Sequence, residues 1–371
     1  MKYYLIAGEA SGDLHGSRLM HQLKKQDPEA DFRFWGGDQM AEVGGTLVKH
    51  FKDLAFMGFW EVLINLKTIL KNIRFCKEDI AAFQPDVILY IDYPGFNLRI
   101  AQWAKKQGFK NFYYISPQLW AWKENRIKQI KKCIDSMYVI LPFEQPYYEE
   151  KHGYKTTFVG HPLIEIIRDV RKQPNTFHKL HGLSKDKPIV ALLPGSRAQE
   201  IKKMMPLFLS VVSQFPEKQF VIAGAPGIDP SFYNQFSRHP SVFIVQNDTY
   251  GLLKNAFAAI VTSGTATLET ALFGVPQMVC YKSSWVSYFI AKNILTLTYI
   301  SLVNLIMDKE VVKEIIQNAC TPEVIANELK RLSIDSNRNK IRSDYDELEQ
   351  KLGALQASKV VASDVISQLI N

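Results

Sequence analysis

Three carboxylates near the amino terminus are placed where a sheet could present them to a ligand. Asp92 follows the apolar β-branched run 87–91, VILYI, and is itself followed at once by Tyr93, Pro94 and Gly95. Such a run reads as a strand buried on both faces, so Asp92 stands at its carboxyl end, the edge where open α/β sheets bind ligands. A rigidly held carboxylate there can take a proton or hold a polar substrate; it can also simply cap the next turn. Glu9 and Asp13 lie in the loop 8–13, GEASGD, between a first strand, 2–7, and a helix that reaches about residue 25. The glycines allow close backbone approach, but Gly8 and Gly12 are not spaced as G-x-G-x-x-G, and two acids would repel a pyrophosphate. Asp13 also suits the first turn of a helix as a plain dipole partner.

The second half carries a different set. The run 193–197, LPGSR, sets a glycine turn and Arg197 at the end of a strand, where a guanidinium can fork onto phosphate oxygens. The run 263–269, SGTATLE, offers Ser263, Gly264 and Thr265 at the start of a helix, with Glu269 one turn in. Backbone N–H groups and hydroxyls of that kind suit a diphosphate, and the carboxylate can accept from ribose hydroxyls. Ser263 and Thr265 as caps and Arg197 as an ion-pair partner are the plainer alternatives. Asn304 is polar among apolar neighbours in SLVNLI, either a bonded core residue or a ligand contact.

These groups need two scaffolds. At 371 residues, 47% hydrophobic and 22% charged, the chain has the composition of a folded protein with more than one core. Strands alternate with helices from residue 2 to about 160, lapse into polar sequence between 161 and 187, and resume from Ile189. Two parallel-sheet domains are expected, 1–165 and 166–344, and the C-terminal helix, about 345–371, can pack back on the first. Asp344-Tyr345-Asp346 spells D-x-D in a charged helical context and reads as solvated surface; no spacing suggests a metal site or a cofactor. The four cysteines are scattered, which fits a reducing compartment, and the amino terminus does not read as a signal peptide.

A net charge of +8 suits an anionic partner. Phe56, Met57, Phe59 and Trp60 precede a helical run carrying Lys67, Lys71 and Arg74, more apolar surface than one helical stripe hides, and the pattern suits a segment lying in a bilayer interface. No stretch reads as a transmembrane span. Leu63, Leu66, Leu70 and Ile73 fall at a spacing that can face a core. Trp120 and Trp122 beside Lys123, Arg126, Lys128, Lys131 and Lys132 raise nucleic acid as a partner, but the helix reads more simply as a solvated basic face.

Seven segments, in order and over nearly the whole chain, resemble the lipid-A-disaccharide synthase family: residues 8–16, 91–97, 116–122, 141–144, 158–162, 193–197 and 263–269. The resemblance implies the inverting GT-B glycosyltransferase architecture, two Rossmann-like domains facing each other across a cleft. It implies transfer of diacylglucosamine from UDP to diacylglucosamine 1-phosphate, forming a β-1,6-linked lipid A disaccharide, without metal. By the same resemblance Asp92 is the general base; Glu9 or Asp13 can aid it in removing the proton. Arg197, the 263–265 loop, Glu269 and Asn304 hold UDP. A homodimer, docked peripherally on the cytoplasmic face of the inner membrane through the 56–60 aromatics, is implied as well, with no nucleic-acid partner. Asp38-Gln39 and Val303 depart from the family pattern. A UDP-sugar epimerase of the same architecture, or a glycolipid-binding protein without chemistry, are the rival readings.

Overall fold

The structure is a computed structural model that describes residues 1–54, 66–282, 298–353 and 356–370. The chain divides into two compact units, residues 1–162 with 352–371, and residues 163–351. The first contains a seven-stranded sheet in the order β3-β2-β1-β4-β5-β6-β7. Its strands are β1 (Lys2–Ala7), β2 (Asp31–Gly36), β3 (Thr46–His50), β4 (Val87–Ile91), β5 (Asn111–Tyr114), β6 (Ser136–Val139) and β7 (Thr157–Phe158). All neighbours pair in parallel. Alternate residues of β1 and β4 serve two cores: Tyr4, Ile6, Ile88 and Tyr90 pack on one face, and Tyr3, Leu5, Val87 and Leu89 on the other. That two-sided burial is why these strands are apolar throughout and not alternating.

The second unit holds a six-stranded parallel sheet in the order β10-β9-β8-β11-β12-β13. Its strands are β8 (Ile189–Leu193), β9 (Gln219–Gly224), β10 (Val242–Gln246), β11 (Ala256–Thr262), β12 (Gln277–Tyr281) and β13 (Lys313–Ile316). In both sheets the order reverses once, between β1 and β4 and between β8 and β11. Doubly wound sheets bind ligands outside the carboxyl ends of the strands at such reversals.

The last helix, Ala357–Ile370, lies on the first unit. Ala357, Val361, Ala362 and Val365 join its core, and Tyr138 donates to Asp364 at 2.8 Å. The return begins at Leu352, later than the sequence suggests, because the helix Asp335–Lys351 stays with the second unit. Tyr345 and Leu348 are buried there, and Gln277 donates to the Tyr345 hydroxyl at 3.3 Å. The D-x-D stretch is therefore only partly surface: Asp344 pairs with Lys309 at 2.8 Å while the tyrosine between the acids is core.

The helix Leu66–Phe83 turns a different side inward than the leucine spacing predicts. Leu70 is 56% exposed, whereas Ile73, Cys76 and Ile80 are buried with Asn72 and Asp79. A stripe drawn from apolar residues alone misses this face, because Asp79 is made tolerable there by Arg33, 2.8 Å away, and the Tyr4 hydroxyl, 2.7 Å away. Phe56, Met57, Phe59, Trp60 and Leu63 lie outside the described residues. Among the described residues no helix is long and apolar enough to cross a membrane.

Candidate active site

The reversal of the first sheet brings two loops side by side. β1 and β4 pair with Ala7 opposite Ile91, so Gly8-Glu9 and Asp92-Tyr93 leave adjacent strands at the same edge. Asp92 and Tyr93 both adopt left-handed backbone, with φ of 46° and 50°. Two such non-glycine residues in succession cost on the order of 1–3 kcal/mol each and persist only where neighbours hold them. The hold is visible: the Asp92 carbonyl accepts from Asn97 Nδ2 at 2.7 Å and from the Tyr113 hydroxyl at 2.5 Å. The Tyr93 carbonyl accepts the Asn97 backbone N–H at 3.1 Å as the helix Pro94–Lys106 begins. Gly8 is required because the Tyr93 ring lies over it; a β-carbon at residue 8 would come within 2.3 Å of that ring.

This clamp leaves the Asp92 carboxyl half-buried at the edge. Burial pushes its pKa up to about 6, the negative charge of Glu9 adds to the rise, and the Tyr93 N–H pulls it back. Near neutral pH such a group is still ionised yet more basic than an ordinary aspartate, the condition a general base needs. Glu9 is exposed at the first position before the helix Ala10–Gln26.

Asp13 does other work. It is buried, its Oδ1 accepts from the backbone N–H of Gly37 at 2.7 Å and of Met40 at 3.1 Å, and its Oδ2 accepts from Gln39 at 3.1 Å. Those are donors at the start of the helix Asp38–Val43, so Asp13 caps a neighbouring helix across the sheet edge. The Asp38-Gln39 departure falls inside this cap, and it leaves the contact intact because the bonds run to backbone. Glu144 is also committed: it is buried, accepts from Ser116 at 2.8 Å and Trp120 at 3.1 Å, and takes the Leu141 N–H at 2.9 Å. Burial raises its pKa and these bonds oppose the rise. The segments 116–122 and 141–144 thus form one bonded unit, a relation their separation in sequence conceals.

At the reversal of the second sheet, β8 and β11 pair with Leu193 opposite Val261, which sets residues 194–197 beside 263–265. Between them lies a cleft of about 230 Å³, lined by Gly195, Ser196, Gly264, Thr265, Thr249 and Glu269 among others. Gly195 has φ of +111°, a conformation other residues reach only with strain. Arg197 stands beside this cleft with a two-thirds exposed side chain that donates to Glu200 at 3.0 Å. The ion-pair alternative describes it in this state. The Ser263 hydroxyl donates to the Ile300 carbonyl at 3.0 Å, which ties the loop down, while Gly264 and Thr265 are exposed. Glu269 accepts from the Tyr250 hydroxyl at 2.8 Å; burial raises its pKa and that bond counters it. Glu269 and Thr249 also wall a second cavity of about 700 Å³ that reaches Phe177 and Lys254.

Asn304 is a core residue and not a free ligand group. It is fully buried; Nδ2 donates to the Val312 carbonyl at 2.9 Å and to Glu314 at 3.0 Å, and Oδ1 accepts from Val311 at 2.9 Å and Val312 at 3.0 Å. Glu314 in turn accepts the N–H groups of Ile300 and Ser301, both at 2.9 Å. Asn304 is linked to Ser263 through Glu314 and Ser301, which hold the segment at Ile300. Tyr93, Tyr113, Tyr250 and Glu314 support these edges without standing out in sequence, Tyr93 through its ring over Gly8 and the others through one hydroxyl or carboxyl set by tertiary contact. Among the described residues no group of three or more His, Cys, Asp or Glu side chains is placed to hold a metal.

Two Rossmann-like units, each with its candidate loops at the strand-order reversal, are the architecture of the GT-B class. Solved structures bear this out for the fold: the glycotransferase of kitacinnamycin superposes with a TM-score of 0.67 at 12% identity, covering 100% of this chain and 99% of that one. The UDP-GlcNAc 2-epimerase of Neisseria meningitidis gives 0.66 at 12% identity, covering 99% and 100%. Within the class, the family model for lipid-A-disaccharide synthetase matches residues 3–367. Lipid-A-disaccharide synthases of Syntrophus aciditrophicus and Coxiella burnetii are each 38% identical, covering 98% and 99% of this chain and 97% and 98% of theirs. That of Geobacter sulfurreducens is 34% identical over 98% of this chain and 96% of its own. The chain belongs to the lipid-A-disaccharide synthetase family, glycosyltransferases of lipid A biosynthesis.

Proposed function

We propose that the chain transfers diacylglucosamine from UDP to the 6-hydroxyl of diacylglucosamine 1-phosphate, in a single inverting displacement. Asp92 takes the hydroxyl proton as the oxygen attacks the anomeric carbon, and the bond to UDP breaks on the opposite face. The observation that carries this reading is Asp92 itself, clamped in left-handed backbone at a strand end with its pKa raised to about 6. Glu9 holds that value up through its charge, which fits a supporting role. Asp13 enters no chemical step, since backbone donors occupy it.

The departing UDP lies in the 230 Å³ cleft of the second unit. Its phosphates meet Ser196 and the Gly264-Thr265 loop, its ribose meets Glu269, and its base lies towards Ala225, Pro226 and Thr249. Arg197 exchanges Glu200 for phosphate when the nucleotide arrives, a swap between two anionic partners that a guanidinium makes without changing its own charge. Asn304 supports the site from within the core. The substrates are lipids, so the 56–60 aromatics dock the protein peripherally on the cytoplasmic face of the inner membrane, and the chain works as a homodimer.

Incubation with both lipid substrates should release UDP and yield a disaccharide 1-phosphate by mass spectrometry. A UDP-sugar epimerised without acceptor, or binding of both lipids without product, would overturn the reading.

A further inference from the structure

A cluster of cations at the first sheet edge takes no part in the account above. Trp122, 48% exposed, carries Lys123 Nζ at 4.3 Å and the Arg126 guanidinium at 5.7 Å from its ring centre. Lys123 sits in left-handed backbone with φ of 55°, and its carbonyl accepts the Arg126 N–H at 3.0 Å, so a tight turn presents both cations together. Gln129, in the helix Ile127–Cys133, donates to the Leu98 carbonyl at 2.8 Å, which ties this turn to the helix Pro94–Lys106, which follows Asp92 and Tyr93 and carries Arg99.

Among the described residues no carboxylate lies within ion-pair distance of Arg99, Lys123 or Arg126. Glu124, the acid in the turn, is taken by Lys151 at 2.6 Å and His152 at 3.1 Å. The mutual repulsion is felt: burial, Arg126 and Arg99 together pull the Lys123 pKa down. Three cations gathered without a counter-charge are an incomplete ion pair, and the missing partner is an anion. Its neighbourhood is the proposed base, because the helix whose Leu98 carbonyl Gln129 grips begins two residues after Asp92.

We propose that Arg99, Lys123 and Arg126, with the Trp122 ring beside them, bind the phosphomonoester of the acceptor sugar and select the phosphorylated acceptor over its unphosphorylated form. This rests on the transfer reaction proposed above. The sugar carries its phosphate at one end and its reacting hydroxyl at the other, so a cation cluster near Asp92 fixes the hydroxyl by gripping the far end of the same ring. A tryptophan face suits the apolar side of a hexose and stiffens the turn.

The test compares diacylglucosamine with and without the 1-phosphate, in neutral detergent micelles, for wild type, Arg126→Ala, Arg126→Lys and the double variant Arg99→Ala with Lys123→Ala. Both turnover and donor-free binding, followed by tryptophan fluorescence, are read. Loss of a charged hydrogen bond should lower kcat/KM on the phosphorylated acceptor about 10- to 100-fold in Arg126→Ala, through acceptor KM, with little change on the unphosphorylated one. Arg126→Lys should fall between. Equal losses on both acceptors, or a loss that appears only when anionic phospholipid is added, would overturn the inference while leaving the transfer reaction standing. Phosphate-dependent binding that Arg126→Ala abolishes, with no disaccharide formed by wild type, would do the reverse.

Discussion

The two sheet reversals share a topology and differ in chemistry. At β1/β4 a single raised carboxyl stands on strained backbone, with a second acid beside it. At β8/β11 the loops are glycine and hydroxyl, the arginine is already paired, and the acid Glu269 is drawn back to Tyr250. On the function proposed above, the first edge takes a proton and the second receives negative charge. Since the scaffold is the same, the difference lies wholly in the loop residues, which is how one fold comes to host both halves of a transfer reaction.

Removing the base breaks the comparison most severely. Asp92→Asn should lower turnover by about two to four orders of magnitude with UDP affinity unchanged, measured by product formation and calorimetry. Undiminished turnover would strip Asp92 of the role. The same variant tests the cost of burying that charge. Asp92 favours its protonated form in the folded state, so what it contributes is greatest below about pH 4 and is lost as pH rises towards 6. Asn cannot ionise, so the variant should gain on the order of 1–2 kcal/mol over wild type at pH 7.5 and nothing at pH 4, read from denaturant melts.

Asn304→Ala should cost about 2–4 kcal/mol of stability, because it leaves backbone donors and Glu314 unpaired in the core. A raised Kd for UDP at undiminished stability would return Asn304 to the ligand. Glu269→Ala should weaken UDP roughly tenfold or more while acceptor KM holds, seen by calorimetry and initial rates; an acceptor effect of equal size would erase the division between the edges. The smallest expected effect is on pH. The acid limb of kcat/KM should have a midpoint near 6, and Glu9→Gln should move it to lower pH by less than one unit, since a like charge is removed. A limb that stays put would detach Glu9 from Asp92.

Much of this was legible in sequence because parallel strands buried on both faces leave unbroken apolar runs, and the polar residues that end them mark the sheet edge. Asp92 and the 263–265 loop stand out for that reason. Asp13 and Asn304 also stand out, yet their partners are backbone groups tens of residues away or in a loop that only tertiary packing closes, so composition cannot separate a cap or a core amide from a ligand group. The inward face of the helix Leu66–Phe83 was hidden likewise, since a buried Asp79 needs Arg33 from another element. The Lys123 and Arg126 turn reads in sequence as a solvated basic face, and its packing on the Trp122 ring is set by a turn that residue types alone do not show.

Hydrogen–deuterium exchange with and without UDP addresses the division of labour most directly. The nucleotide should slow exchange in residues 194–200, 223–226, 249–250 and 262–269, and leave 8–13 and 92–97 unchanged. Protection centred on 8–13 and 92–97, with the second set unaffected, would contradict it.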